Sequence, residues 1–405
     1  MAVILESFRL KNFKAVRDTG LLKFGGFTVL VGGNGSGKSS LLEGLEVFRS
    51  LGTLDVDTIF NQPRWRGFHH VWNKAVPHEL DQKKNGSHLY SNPMTFDATV
   101  TRPGPGVMVA PKNAKNIDPR QRYITEISQT ADGVVTVANE LAYLPVEMEL
   151  QRQANGKIIE KSTPKLFGYL KDVDPGYSIL STGLIGRPFE GWQFLNLNAP
   201  IMGQPTPLLG GRTNIYLQSD GSNLAEFIRK LSPAGLERLL AALQQVVGYA
   251  GGIDVGEFSS VDRTVYLKIK EGGFDVPGWM MSGGTVRLVA ILACLFQDIP
   301  PPLLVIEEIE NGLDPRTVGF LVSQLREAVE SGRTQIIATT HSPHFLSQAA
   351  LEHLLLCQRM KNGEPRFWRP SDSEELRKWA EDFHPGELFA TGRIQKEMTK
   401  ALGDA

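Results

Sequence analysis

Apolar and polar positions alternate in two different periods along this chain, and the switches between them outline its elements. Residues 3–13 and 21–31 read as strands either side of a turn at Asp18-Thr19-Gly20. The end of the second, Phe27-Thr-Val-Leu-Val31, is apolar and β-branched, the pattern of a buried strand. Glycines crowd the next six positions. From Ser39 the spacing becomes helical and runs to about Leu51, where Gly52 ends it. Residues 52–95 show no sustained period. Strand-like runs return at 95–102, 122–130, 134–141 and 146–152 with 157–161, and Asp132-Gly133 and Asn155-Gly156 sit between pairs of them as hairpin turns. These predict an antiparallel sheet in the middle of the chain. Residues 162–215, rich in Gly and Pro, read as loops.

Helical spacing resumes with Leu224, Phe227, Ile228 and Leu231, and again, after Pro233, with Leu236, Leu239, Leu240, Leu243 and Val247. A strand at 265–269 precedes a glycine turn opening a buried helix over 281–297. Strand, helix and strand then follow at 303–306, 315–330 and 334–340. Apolar strands separated by a helix predict a parallel sheet covered on both faces. Ser371-x-x-Glu374 reads as the capping box of a last helix around Leu376 and Trp379. No repeat or heptad array is visible. The expected organisation is an α/β core from 1–51 and 255–405, with 52–254 inserted as antiparallel sheet, loops and a helical subdomain.

Composition narrows the class. The 405 residues are 41% apolar and 21% charged, ordinary for a chain with a sizeable core, and the net charge of −1 neither demands nor excludes a polyanionic partner. The two cysteines, Cys294 and Cys357, lie in apolar stretches without ligand spacing and read as buried reduced thiols. The first residues show no secretory pattern, and the longest apolar run, 288–296, is too short to span a bilayer. The expectation is a cytoplasmic protein without a membrane partner.

The glycine-rich turn has the form G-x-x-x-x-G-K-S over residues 32–39. Such a loop wraps a triphosphate with backbone N–H groups, which side chains would block. The helix N-terminus adds partial positive charge, Lys38 reaches the β/γ-phosphates and the Ser39 hydroxyl ligates Mg²⁺. A second cluster begins at Leu303-Leu-Val-Ile-Glu-Glu-Ile-Glu310, an apolar strand ending in acids. A phosphate-loop ATPase needs one acid for Mg²⁺, which Glu307 fits, and another to polarise the attacking water, which Glu308 fits. The alternative is a strand that ends in solvated acids. Asn311-Gly-Leu-Asp-Pro315 is a turn starting a helix, and Gln335-Ile-Ile-Ala-Thr-Thr-His-Ser-Pro343 delivers His341 at a strand end, where a γ-phosphate sensor would sit. Met281-Ser-Gly-Gly-Thr-Val-Arg287 is a second glycine turn opening a helix, suited to an anion from another subunit.

In this order the four motifs resemble the ABC-type ATPase heads of the SMC/RecF/OLD group, and more closely the stand-alone ATPases of that group found in bacterial defence and mobile-element operons. Phe8-Arg-Leu-Lys-Asn-Phe-Lys14 and Leu217-Gln-Ser-Asp-Gly-Ser-Asn-Leu224 support the likeness, which covers both ends of the chain and the region from about 215 to 390. The resemblance implies an α/β fold: a P-loop NTPase of the ABC head type with an antiparallel sheet and an inserted lid or arm region. It implies that Gly32, Gly33, Asn34, Gly35, Ser36, Gly37, Lys38, Ser39 and Ser40 bind ATP, and that Ser39 and Glu307 handle Mg²⁺. Glu308 would be the general base and His341 the switch histidine. Ser282, Gly283 and Gly284 would clamp the opposite subunit's γ-phosphate in a homodimer with ATP at the interface, and Asp314 would couple the two sites. Two residues depart from the usual pattern: Glu307 stands where aspartate is common, and Ile309 where proline is usual. Gln129 and Gln193 are candidates for the Q-loop glutamine.

Lys38 and Ser282 are 244 residues apart, far more than in a transporter ATPase, and no SMC-length heptad arm is present. Only 64 residues follow His341, without the DxD pair of an OLD-type nuclease. The chain therefore reads as an ATPase switch, dimeric or a higher oligomer, that senses DNA or an invader signal and controls a separate effector such as a nuclease. A RecF-like repair ATPase and a non-hydrolysing ATP-held scaffold are the alternatives. Arg64, Arg66, Lys83, Lys84, Arg102, Lys112, Lys115, Arg120 and Arg122, against Asp118, form a candidate basic surface for DNA, or else a solvated loop. The histidines at 69, 70, 78 and 88 raise zinc as a lesser alternative.

Overall fold

The computed structural model describes residues 3–80, 89–101, 119–144, 148–161, 172–182, 189–208, 216–259, 261 and 263–403. A parallel sheet carries the fold. Its strands run Gln193–Leu195, Leu303–Ile306, Gln335–Thr340, Phe27–Val31, Leu354–Arg359 and Pro365–Trp368, all parallel except the last pair. Successive strand residues point to opposite faces. Val29, Val31, Leu304 and Ile306 accordingly enter one core, and Leu30, Leu303, Val305 and Ile337 enter another. The unbroken apolar runs are what a sheet buried on both faces requires.

One face is covered by Gly283–Phe296 and Pro315–Glu330. The helix Gly283–Phe296 is buried from Val286 to Leu295 without a break, as its all-round apolar sequence dictates. The other face receives Lys38–Ser50, whose Leu41, Leu45 and Phe48 pack between the parallel sheet and the antiparallel one. That second sheet runs Val16–Asp18, Ile4–Phe13, Met94–Thr101, Arg120–Gln129, Val135–Leu144, Met148–Gln153 and Ile158–Glu160. Both expected hairpins are present, with Gly133 and Gly156 at φ +85° and +87°. A buried glutamine stitches the two sheets: Gln335 Oε1 accepts from Leu5 N, and Nε2 donates to Leu5 O and Gly25 O, each at 2.8 Å. A third sheet, Thr206–Pro207, Thr264–Glu271, Ala250–Ser259 and Phe274–Pro277, packs on Leu224–Arg229 and Pro233–Val246.

Several expectations change. The single strand expected over 21–31 is two, Leu22–Lys23 in the antiparallel sheet and Phe27–Val31 in the parallel one, parted at Gly25-Gly26. A Cβ on Gly26 would lie 2.7 Å from Val329 Cγ1, so the chain crosses between sheets under that side chain. Strands also cross the sequence division: Ile4–Phe13 sits inside the antiparallel sheet, and Gln193–Leu195 at the edge of the parallel one. The strand Ala250–Ser259 was hidden by Gly251-Gly252, and short helices Val56–Phe60 and Phe68–Val71 lie in the aperiodic stretch. The helix expected to be the last, Glu374–Asp382, is capped by Ser373, which accepts from Leu376 N at 3.2 Å, rather than by Ser371, which lies in the turn Pro370–Asp372. Two further helices follow it, Pro385–Ala390 and Arg393–Leu402. No helix among the described residues is long and apolar enough to cross a membrane.

Candidate functional site

Three neighbouring parallel strands end side by side, and each delivers one motif at its C-terminal end, where ligands of such sheets bind. Phe27–Val31 feeds the glycine loop, Leu303–Ile306 the acids, and Gln335–Thr340 His341. In the loop, a Cβ on Gly32 would fall 1.9 Å from Cys357 O, and Gly37, at φ +100°, would meet Pro365 Cβ at 2.7 Å. Backbone approach, not flexibility, is what demands glycine here. Gly33, Asn34, Gly35 and Ser39 are exposed, Ser40 is half-buried, and Gly37 has no side chain to cap the helix that starts at Lys38.

Lys38 is 7% exposed, and its Nζ donates to Gly32 O at 2.7 Å, Gly33 O at 3.0 Å and Ser36 Oγ at 3.3 Å. Burial lowers its pKa, offset by the nearby carboxylates of Glu307, Glu308 and Glu310. The ammonium is thus held by loop acceptors that a phosphate could replace. Ser39 Oγ donates to Glu307 Oε2 at 3.1 Å. Burial raises the pKa of Glu307, while the Ser39 hydrogen bond and the Arg64 guanidinium, 3.9 Å away, oppose that rise. A hydroxyl and a carboxylate brought together are hard oxygen donors, which fit Mg²⁺.

Glu308 is exposed and lies at φ +47°, uncommon for a residue with a side chain. Its N–H donates to Thr339 Oγ1 at 2.8 Å. Buried Arg287 fixes the same turn from below, with Nη2 donating to Glu307 O and Glu308 O, both at 3.3 Å, and Nη1 to Leu197 O at 2.9 Å. His341 N donates to Glu310 Oε1 at 2.7 Å, and the imidazole pKa is lowered by burial and then by Lys38. Glu307, Glu308 and His341 therefore converge on the loop lysine.

The second glycine turn meets the acids from the other side. Ser282 caps Gly283–Phe296, accepting from Thr285 N at 3.1 Å, and stays exposed with Gly283. A Cβ on Gly284 would fall 2.2 Å from Gly312 O, so this turn lies directly on the Asn311-Gly312 loop of its own chain. Asp314 caps Pro315–Glu330 through Arg316 N and Thr317 N, and its pKa is lowered chiefly by the Thr317 hydroxyl.

Other candidates stand apart from this centre. Gln129 donates to Gly133 O within a hairpin of the antiparallel sheet. Gln193 is buried opposite Leu304, at the start of its strand rather than beside the acids. Of the basic set, Arg122 is paired with Asp97 at 2.8 Å, and Arg64 is shared among Glu43, Glu46 and Glu307 while stacking on Trp65 at 4.8 Å. Lys83, Lys84, Arg102, Lys112, Lys115 and Asp118 lie outside the described residues, as does His88. Among those described, no three His, Cys, Asp or Glu side chains are grouped to hold a metal, and His78 packs between Trp72 and Tyr90. Both cysteines are buried and free, with their thiol pKa values pushed up by burial. Arg287, Thr339 and Glu310 were not assigned roles by sequence reasoning, because each acts through backbone contacts that spacing does not reveal.

Comparison with known proteins places these motifs together. A family model described as "AAA domain, putative AbiEii toxin, Type IV TA system" matches residues 27–88 and 176–347, which include every motif above. The Nod factor export ATP-binding protein I of Sinorhizobium fredii is 27% identical over 201 residues, 48% of this chain and 50% of that protein. The chain spans half or less of the length of the curated relatives it matches. Among solved structures, the Smc head domain with an extended coiled coil bound to the C-terminal domain of ScpA, derived from Pyrococcus furiosus, aligns with a TM-score of 0.56 at 14% identity. That alignment covers 94% of this chain and all of the other. The SmcHead bound to the C-winged helix domain of ScpA aligns at 0.51 and 16% identity, over 90% of this chain and 96% of that one. These likenesses show the fold.

Proposed function

The chain belongs to the AAA-domain family whose model it matches, an ABC-type ATPase with the fold of SMC heads, and from that premise we propose that it hydrolyses ATP as a dimeric switch. The observation that carries this reading is the convergence of Lys38, the Ser39–Glu307 pair, Glu308 and His341 at three adjacent strand ends. The loop Gly32–Ser40 would cradle the phosphates, with Lys38 exchanging loop carbonyls for phosphate oxygens. Ser39 and Glu307 would hold Mg²⁺, whose charge would offset that developing on the phosphoryl group. Glu308 would take the proton of the attacking water, and His341 would sense the γ-phosphate. The turn Ser282–Gly284, exposed at Ser282 and Gly283, would complete a second copy's site, with Asp314 and the Asn311-Gly312 loop linking the two.

The wider reading is that ATP-driven pairing, triggered by DNA or an invader signal, regulates a separate effector such as a nuclease in antiviral defence. It rests on the family resemblance. The division into a core of 1–51 and 255–405 with an inserted 52–254 is part of the same proposal as a division of the sequence, with Ile4–Phe13 and Gln193–Leu195 pairing across it.

The test is Mg-ATP turnover by the full chain with and without linear duplex DNA, with Glu308→Gln as the blank and size measured alongside. Turnover lost in Glu308→Gln, with that variant accumulating as an ATP-bound dimer, is expected. DNA stimulation would make nucleic acid the input, and preference for gapped or ended DNA would favour a repair role. Binding without turnover, unchanged by Glu308→Gln, would leave an ATP-held scaffold instead.

A further inference from the structure

The segment from Glu308 to Glu310 is tied to the end of the neighbouring strand by three rungs. Glu308 N donates to Thr339 Oγ1 at 2.8 Å, Ile309 N to Thr339 O at 3.1 Å, and His341 N to Glu310 Oε1 at 2.7 Å. The middle rung needs an amide hydrogen. Proline, usual at this place in the resembled group, has none and could not form it. Ile309 is fully buried, so the rung lies on the core side of the site. The tie holds Glu308 in its left-handed conformation and joins it, through Thr339, to the turn that presents His341.

Glu310 also has an oxygen to spare. Its Oε2 is buried and has no hydrogen-bond partner among the described residues. Oε1 bonds the turn that presents His341, which puts this carboxylate beside the phosphate-binding groups, and its charge is felt at Lys38 and His341 as well as at Arg287. A buried acceptor left unsatisfied is costly, and one kept beside a reactive centre suits a donor that arrives with the ligand.

We propose that Glu310 is a positioning residue for hydrolysis: Oε1 fixes the His341 turn, and Oε2 accepts a hydrogen bond from the attacking water. This rests on the ATPase reading above. The water oxygen bonds to the γ-phosphorus, and the bond from that phosphorus to the β–γ bridging oxygen breaks. One water proton passes to Glu308, ADP leaves with the bridging oxygen, and the remaining hydrogen stays on the phosphate. Glu310 accepts throughout and keeps its charge. Its part is to aim the water at the phosphorus while Glu308 removes the proton.

The experiment compares wild type, Glu308→Gln, Glu310→Gln, Glu310→Ala and Ile309→Pro in the full chain. It measures ATP affinity by binding of a fluorescent ATP analogue, kcat and KM for Mg-ATP, and Tm. Glu310→Gln can still accept from His341 N but can offer the water an amide NH₂ in place of the carboxylate oxygen. It is expected to bind nucleotide like wild type while kcat falls, by up to about 100-fold for a misplaced reactant. Glu310→Ala loses both contacts and falls at least as far. Ile309→Pro loses the middle rung together with a buried side chain and should lower kcat less than Glu310→Gln at unchanged KM, with its Tm read alongside to separate the packing loss. Wild-type kcat in Glu310→Gln overturns the proposal, as does a loss explained by lowered Tm and weakened binding together. If wild type itself turns over no faster than Glu308→Gln, the ATPase reading fails and this inference with it. Normal wild-type turnover with an unaffected Glu310→Gln sinks this inference alone.

Discussion

Two groups of charge, one inside the antiparallel sheet and one at the ends of the parallel strands around the start of the helix Lys38–Ser50, are built to opposite ends. In the antiparallel sheet, Glu140 is wholly enclosed and accepts from Thr125 Oγ1, the Ser178 hydroxyl and Ile179 N. Its neighbour Arg152 donates to the carbonyls of Val137, Gln153, Asp174 and Pro175. Apart from Arg152 Nε, which has no partner among the described residues, the polar atoms of Glu140 and Arg152 are paired within the chain, and together they pin residues 174–179 onto the sheet. At the ends of the parallel strands, Lys38 rests on loop oxygens, Ser39 borrows Glu307, and Glu310 keeps an acceptor in reserve. A network whose partners all belong to the chain makes structure; one whose partners can be traded for a ligand's makes a site.

The largest effects should come from breaking each group at its centre. Glu308→Gln should lower kcat by about 10²–10⁴-fold, the usual contribution of a general base, while leaving ATP binding and Tm intact. Lys38→Ala should abolish nucleotide binding. Arg152→Ala should do the reverse, costing about 1–3 kcal/mol of stability because the buried carbonyls of Val137, Asp174 and Pro175 lose their donor. A denaturation curve beside a turnover assay separates the two outcomes. Equal losses of stability and activity from both would erase the distinction.

A glycine on the site side gives the next largest effect. Gly284→Ala would put a methyl group 2.2 Å from Gly312 O and must part the two loops. A loss of kcat with a destabilisation of about 1–3 kcal/mol is expected from such overpacking. Asp314→Ala removes a helix cap and should cost about 1 kcal/mol, less if water screens the exposed carboxylate.

Acidity offers a finer test. Glu140 has its pKa raised above the ordinary 4.5 by burial. The folded chain therefore binds more protons than the unfolded chain in the window that opens at pH 4.5, and stability attributable to Glu140 declines as pH rises through the folded value. Asp314, lowered below its ordinary 3.8, has the opposite sign: its contribution is present above pH 3.8 and is lost as pH falls through the folded value. Glu140→Gln should flatten the first trend and Asp314→Asn the second, as read from unfolding free energy against pH.

The same contrast explains what could be read in the sequence. Glycine spacing, a lysine, and acids at the end of an apolar strand are dictated locally by phosphate chemistry, so Gly32–Ser40, Glu307, Glu308 and His341 stood out before any fold was known. Phe27–Val31 and Leu303–Ile306 were legible because strands buried on both faces leave no polar alternation. The antiparallel strands were legible through their hairpin turns, but nothing in the spacing of Glu140 and Arg152 says that they meet. Gln193–Leu195 was missed because three residues are too short to show a period. Ser371-x-x-Glu374 has the pattern of a capping box, while the helix starts two residues later, at Glu374, under the Ser373 cap. Arg287, Thr339 and Glu310 work through backbone groups, which a one-dimensional pattern cannot pair.

The most direct test of the contrast is hydrogen–deuterium exchange of Glu308→Gln with and without Mg-ATP. Protection should rise at 32–40, 282–287, 307–314 and 339–343, while 135–144 and 148–153 stay as they were. Protection spread evenly over both sheets, or confined to the antiparallel one, would contradict the assignment of the parallel strand ends as the place where this protein exchanges its own contacts for those of a nucleotide.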